Sequence, residues 1–354
     1  MGPTGASSPL HAPGKRWWGV ETDGTLVATA LDREHHSWFG GVRVPTCGIG
    51  GVTVAPEHRG RGLLDPLMTA LAEGARERGA VISTLYATSP GIYRRHGFEV
   101  VGSLDTVRVP TRALSVGGER PVRRASEEDT PQIRAAHERW ARRRQGPLSH
   151  TGPLFTEPPT LRVDGVTVSE LDDGTISGYT TWNRGRGYGP DAELDVGTIV
   201  ADDEDSLRSL LSTLGSFGSV TGTVAITTSG HDTWRHLLRT DHAVVTSSRP
   251  YSLAVLDPTA LEHLPAPAGI SASLPFRSGD HSLRLDVAAG RARVHAHDAP
   301  PAHCLTVGGL ALTFAGAESS ATLREVGHLE GDGADDATWD ALFHHGPVQV
   351  ADYF

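Results

Sequence analysis

The residues best suited to chemistry are Arg59-Gly60-Arg61-Gly62, which follow Gly51-Val52-Thr53-Val54-Ala55-Pro56-Glu57-His58 and precede Leu63-Leu64-Asp65-Pro66-Leu67-Met68. The pattern reads as a β-branched strand, a tight turn and the first turn of a helix. A helix N-terminus carries unpaired N–H groups and the positive end of its dipole, so it can cradle a pyrophosphate where no side chain blocks the approach. Gly60 and Gly62 keep that approach open, and Arg59 and Arg61 add positive charge. His58 stands beside the loop, where it can reach a phosphate or cap the turn. The pyrophosphate expected is that of coenzyme A, and the chemistry acyl transfer. The competing reading is a solvated Gly/Arg turn.

Tyr93 is the candidate general acid, since a phenol within hydrogen-bond reach can protonate a departing thiolate. Its alternative role is to anchor a short helix in the core. Val52 and Val54 offer backbone groups that can pair an extended ligand arm as an added strand, and an N–H there can polarise a thioester carbonyl. Their side chains fit a core equally well. Asp32, Glu34, His36 and Trp38 precede the signature strand by one hairpin and can line an acceptor pocket, with packing as the alternative. His295, His297, His303 and Cys304 match no strong zinc spacing, so no metal is expected. The pairs His35-His36 and His344-His345 read as polar surface.

These residues need elements to position them. Residues 17–21 and 26–32 read as strands joined at Asp23-Gly24, and Gly40-Gly41 turns the chain into the next strand. Leu63, Leu64, Leu67, Met68, Leu71 and Ala75 recur at helical spacing up to Gly79, a C′ residue. Residues 81–86 form a further strand, after which Ser89-Pro90 opens a short helix that closes at Gly97-Phe98. A second unit starts near Pro121, with Ser126 and Asp129 as caps of a helix over 127–144. Strands over 165–171, 174–183 and 191–200 and a helix over 205–214 repeat the first unit's order. At the corresponding turn, however, Asp202-Asp203-Glu204-Asp205 would repel a pyrophosphate. A third unit follows a linking strand at 251–256; it holds hairpin strands at 282–287 and 292–297, three helices ending with 338–343, and a strand at 348–351. The expected domains are therefore 1–110, 121–256 and 257–354.

Composition narrows the class. The 354 residues carry a formal net charge of −10, which disfavours nucleic acid as a partner and suits a cationic amine. Only Cys47 and Cys304 occur, so no disulfide framework is indicated. Residues 1–13 lack the apolar core of a signal peptide, and no membrane span is visible. The expectation is a cytoplasmic protein.

The loop Arg59-Gly60-Arg61-Gly62-Leu63-Leu64, together with a Tyr shortly before Gly97-Phe98, resembles the GCN5-related N-acetyltransferases. Residues 54–64, Gly91-Ile92-Tyr93-Arg94-Arg95-His96-Gly97 and Val348-Gln349-Val350-Ala351-Asp352-Tyr353-Phe354 further resemble the enhanced intracellular survival (Eis) acetyltransferases, across nearly the whole chain. The fold this implies is α/β (α+β): two tandem acetyltransferase-like mixed-sheet domains, then a sterol-carrier-protein-like α+β domain. The implied activity is acetyl transfer from acetyl-CoA to a primary amine of a cationic, aminoglycoside-like small molecule, by direct attack in a ternary complex.

In that resemblance the α-carboxylate of Phe354 accepts the amine proton, Tyr93 acts as acid, and Thr88 lies where a serine near the thiolate is expected. Val52, Val54, His58, Arg59, Gly60, Arg61, Gly62 and Leu63 complete the acetyl-CoA site. A homo-oligomer, ring-like or hexameric, is implied. Two departures stand out. Leu64 replaces a small residue, and two helices that normally cover the acceptor pocket have no counterpart before Trp17. Alternatives are an acyltransferase for a natural product or a protein lysine using a longer acyl-CoA, or a non-catalytic binder of coenzyme A or an apolar ligand.

Overall fold

The computed structural model describes residues 7–185, 187–238, 243–298, 301 and 303–354; the first six residues of the polar lead stretch lie outside them. The strands are β1 (Ser7–Ala12), β2 (Lys15–Thr22), β3 (Thr25–Phe39), β4 (Val42–Val54), β5 (Ile82–Tyr86), β6 (Glu99–Pro110), β7 (Val122–Arg124), β8 (Gly165–Glu170), β9 (Ile176–Arg184), β10 (Gly189–Ala201), β11 (Thr221–Thr228), β12 (Val244–Val255), β13 (Ala272–Ser278), β14 (His281–Ala288), β15 (Arg291–Ala296), β16 (His303–Leu305) and β17 (Leu329–Gly331). The helices are α1 (Leu64–Glu77), α2 (Gly91–Arg94), α3 (Thr130–Ala141), α4 (Glu204–Gly215), α5 (Val307–Ala315), α6 (Ser320–Glu325) and α7 (Asp336–Phe343).

Among the described residues, twelve strands form one continuous sheet in the order β1-β2-β3-β4-β5-β12-β6-β11-β10-β9-β8-β7. The strand read as a linker is therefore a central one. Tyr251–Val255 of β12 pairs antiparallel with Ile82–Tyr86 of β5, and β12 also pairs with β6. A strand made late in the chain thus completes the first half's sheet. The polar lead stretch contributes an unexpected edge strand, β1, paired with β2.

The two halves repeat one local design. β3 and β4 are antiparallel while β4 and β5 are parallel; β9, β10 and β11 do the same. In β4, Leu31 faces Gly50 and Thr29 faces Thr53, so Gly51 and Val52 together stand opposite Ala30. This is a β-bulge, and Gly51 supplies its positive φ of 58°. Pairing of β4 with β5 stops at Ile49, so residues 50–54 have β3 on one side and no strand on the other. In β10 the register shifts between Val196 and Thr198, and pairing with β11 ends at Val196.

The helix α1 buries Leu67, Met68, Leu71, Gly74 and Ala75 against the sheet. A Cβ on Gly74 would lie 2.3 Å from the Trp18 ring, so that close approach requires glycine. Its end is a Schellman turn: Gly79, at φ 84°, donates to the Arg76 carbonyl and Ala80 to that of Ala75. Ser126 and Asp129, expected as caps, form a capping box on the 3-10 turn Glu127–Asp129 that leads into α3.

The third unit has a second sheet, β15-β14-β13-β16-β17, with α5, α6 and α7. Its core is continuous with one face of the large sheet, where Phe39, Val44, Ile82, Val101 and Leu253 meet Leu310, Phe314 and Trp339. The expected terminal strand at 348–351 is absent. Val348 makes one isolated bridge with Gln145, and the segment is held otherwise by buried Val348 and Val350. Among the described residues no helix is long and apolar enough to cross a membrane.

Candidate active site

The glycine loop faces open space. Gly60 and Gly62 have φ of 74° and 72°, a left-handed geometry that strains most side chains. A Cβ on Gly60 would meet no atom within 4 Å. Arg59 and Arg61 are exposed, with Arg59 Nε donating to the Val54 carbonyl at 3.4 Å, and His58 is half-buried beside them. Leu63 is buried and fixes the loop to the core. The half-buried Val52 and Val54 lie on the stretch of β4 that has left β5.

Thr88 is exposed just past β5. Tyr93, on α2, is buried, with its ring edge-on to Phe98 at 6.1 Å. Burial pushes its pKa up, so the phenol keeps its proton at neutral pH. Its hydroxyl makes no hydrogen bond to any described residue. The end of α2 is tied back to α1, since Arg95 and His96 reach Asp65 at 2.9 and 3.1 Å. The glycine loop and Tyr93 are therefore braced against each other.

The chain terminus threads between the two halves. Gln349 donates to the Gln145 carbonyl at 2.7 Å, and the Tyr86 hydroxyl donates to the Asp352 carbonyl at 2.5 Å. His150 Nε2 lies 2.9 Å from Asp352 Oδ1. The His150 ring stacks on His137 at 3.4 Å and on Phe155 at 4.4 Å. His137 is itself fixed by the Tyr179 hydroxyl at 3.0 Å and the Leu148 carbonyl at 2.9 Å. Burial works against charge on Asp352, but His150, His137 and His35 outweigh it and hold the carboxyl below its ordinary range.

Phe354 ends this tail over β4. Its ring lies between His35 at 4.9 Å and Tyr86 at 5.4 Å. A Cβ on Gly48 would sit 2.5 Å from the His35 ring and 2.9 Å from the Phe354 ring; one on Gly50 would sit 3.8 Å from the terminal backbone oxygen. The carboxyl therefore rests where β4 parts from β5, beside the bulge. His35 is not surface, as its polarity suggests, but 4% exposed, and burial draws its pKa down to about 4.

The proposed acceptor residues are differently placed. Asp32 is 1% exposed and engaged by Arg78 and by Cys47 Sγ at 3.1 Å, so its carboxylate is not free for an acceptor. Side chains alternate along a strand, which puts Asp32, Glu34, His36 and Trp38 on the opposite side of β3 from His35. Trp38 packs with Ile133 and Trp140 and donates to Glu138 at 3.2 Å; Glu34 is exposed and His36 half-buried.

The histidines 295, 297 and 303 do not gather. His303 stacks on Trp339 at 4.5 Å, while His295 lies 3.7 Å from Asp286. The donor atoms of His137, His150 and Asp352 do lie within 4.8 Å of one another. Both His137 nitrogens are already bonded, however, and two stacked imidazoles present parallel edges rather than convergent lone pairs. These residues form an anchor for the tail. Nothing local in the sequence marks His150 and Asp352 as partners, 202 positions apart.

At the second half's matching turn, the four carboxylates are absorbed by the protein itself. Asp203 caps α4 through the Ser206 N–H at 2.8 Å, Asp202 meets Arg139 and Arg143, Glu204 meets Arg208 and Asp205 meets Arg120.

The chain is similar to known proteins along both of its halves. Models of the acetyltransferase (GNAT) domain match residues 6–101 and, separately, 136–254. An uncharacterised N-acetyltransferase of Streptomyces griseus is 29% identical over 346 residues, covering 87% of this chain and 81% of that protein. The N-acetyltransferase Eis of Mycobacterium tuberculosis is 30% identical over 127 residues, 33% of this chain and 32% of Eis. The crystal structure of a GCN5-related N-acetyltransferase from Kribbella flavida superposes with a TM-score of 0.81 at 28% identity, over 96% of this chain and 88% of that one.

Proposed function

The chain belongs to the GCN5-related N-acetyltransferases, in their Eis-like branch, and from that premise we propose that it moves an acetyl group from acetyl-CoA to a primary amine of a cationic small molecule. The observation that carries this reading is the terminal carboxyl laid over Gly50, where β4 leaves β5. The N–H groups at Gly60–Gly62 and the arginines beside them suit the pyrophosphate, and the unpaired edge of residues 52–54 suits the pantetheine arm.

In the reaction the amine nitrogen attacks the thioester carbonyl carbon, forming a C–N bond, and its proton passes to the Phe354 carboxylate. The C–S bond then breaks, and Tyr93 gives its phenolic proton to the sulfur, leaving amide and thiol. Solvent restores both protonation states. No covalent enzyme intermediate is required.

The second half keeps the bulge and the splay but fills its helix start with carboxylates, so a single acetyl-CoA site per chain, in the first half, is expected. Thiol release from acetyl-CoA should appear with polyamines or aminoglycosides. Measurable acetyl-CoA binding with no release for any amine, protein lysine included, would overturn the enzymatic reading.

One observation favours a longer acyl donor as the second reading. A cavity of about 400 Å³ lined by Met68, Leu71, Phe98 and Leu310 reaches Ile49 and Ser83 on the two parting strands. Turnover that rises with acyl chain length would select it; a maximum at acetyl would discard it.

A further inference from the structure

Arg33 stands on β3 opposite Gly48, on the face that carries His35 and meets the chain terminus. It is half-buried, and its Nε–H is buried with no partner among the described residues. A buried donor left unpaired costs about 1–3 kcal/mol, so nearly all such groups in native proteins have a partner. A guanidinium can only donate, and the group it lacks is therefore an acceptor. Asp32, next to it in sequence, points to the other side of β3 and is held by Arg78. Burial keeps His35 neutral, so the adjacent ring brings no charge. The negative group shown beside Arg33 is the terminal carboxyl. A Cβ on Gly50 would lie 3.6 Å from Arg33 Nε and 3.8 Å from the terminal oxygen of Phe354, both ordinary contacts. Gly50 thus leaves a methyl-sized gap between guanidinium and carboxyl, beside the bulge, where β4 has left β5.

We propose that Arg33 is a further catalytic residue, whose Nε–H receives the thioester carbonyl oxygen in that gap and stabilises the oxyanion formed on it. The inference rests on acetyl-CoA placing its thioester at the splay. When the amine nitrogen bonds to the carbonyl carbon, the C=O π pair moves onto oxygen while the amine proton passes to the Phe354 carboxylate. Negative charge therefore leaves the carboxylate and appears on the oxyanion across the same gap. Arg33 faces both positions, so its charge stays compensated and it neither gains nor loses a proton. The C=O bond then re-forms, the C–S bond breaks, and the Tyr93 proton goes to sulfur. A fixed donor aimed at charge that develops in the transition state is worth about 10²–10³ in kcat.

The test binds acetyl-CoA, isotope-labelled at the thioester carbonyl, to the full chain and reads the carbonyl stretch by infrared difference spectroscopy, with affinity measured by calorimetry. A hydrogen bond from Arg33 lowers that frequency, so the band of the natural protein should lie below that of free acetyl-CoA. Arg33→Gln should return it toward the free value with acetyl-CoA affinity unchanged, and should lower kcat about 100-fold with little effect on the KM for acetyl-CoA. Arg33→Lys keeps the charge and should recover about tenfold of that loss. Gly50→Ala fills the gap through ordinary contacts alone and leaves Arg33 in place, so it should return the band as Arg33→Gln does. A band unshifted in the natural protein, or one that both variants leave lowered, overturns the proposal. The spectrum needs neither an acceptor nor a base, so a lowered band that responds to Arg33 upholds the contact even where no amine is acetylated. A natural protein that binds no acetyl-CoA fells the reading of the site itself, and the proposal with it.

Discussion

Tyr93 and Phe354 stand 261 positions apart in the chain, and the proposed mechanism makes one the acid and the other the base. Burial keeps the Tyr93 phenol protonated, so Tyr93→Phe should lower kcat about 100-fold or more while leaving acetyl-CoA affinity unchanged, as single-turnover rates and equilibrium binding will show. Tyr93 was legible as a candidate, its role as acid being part of the proposal, because it stands at a fixed spacing before Gly97-Phe98. The acceptor residues were not. Strand alternation alone says that Asp32 and His35 point to opposite faces, but only the fold says which face meets the terminus. The buried Arg78–Asp32 pair and the His35–Phe354 contact decide it.

Among the elements, the strand-loop-helix at residues 50–77 was readable because each signal is local: β-branched residues, glycines at two left-handed positions and an apolar helical stripe. Gly60→Val should raise the KM for acetyl-CoA about tenfold, since a β-branched residue at φ 74° is strained. Gly60→Asn should be milder, and both variants should stay folded, as the position faces open space. In α4 the acidic turn serves the helix rather than a ligand, so Asp203→Ala should cost about 1 kcal/mol of stability in urea unfolding, with little change in turnover. The absence of a strand at the tail has a physical reason. Val348 and Val350 alternate as in a strand and both join one core, but the segment's bridge to Gln145 is a single isolated one, so no ladder forms.

Over the whole molecule, buried neutral histidines set the response to acid. Burial draws His137 to about 3, and His35 and His303 to about 4, against an ordinary value of 6.5. Below about pH 6.5 the unfolded chain takes up protons that the folded one refuses, so stability falls as pH drops toward 4. Each group contributes at most about 1.4 kcal/mol per pH unit in that window. Asp352 acts in the same sense at still lower pH, because its lowered pKa favours the fold only while it is ionised. Urea midpoints at pH 7.5 and 5 will show the decline, and His303→Gln should make it shallower.

The long-range order of the sheet was beyond reach of the sequence, because nothing in residues 244–255 says which strands they will separate. With β12 between β5 and β6, residues 1–110 expressed alone should give no cooperative unfolding transition. The same insertion governs what happens during synthesis. The first half cannot close until its borrowed strand has left the ribosome, so the gap between β5 and β6 stands open for roughly 7–30 s at the usual 5–20 residues per second. Through that interval the nascent chain carries two unpaired strand edges, and a holding chaperone has its natural point of contact there.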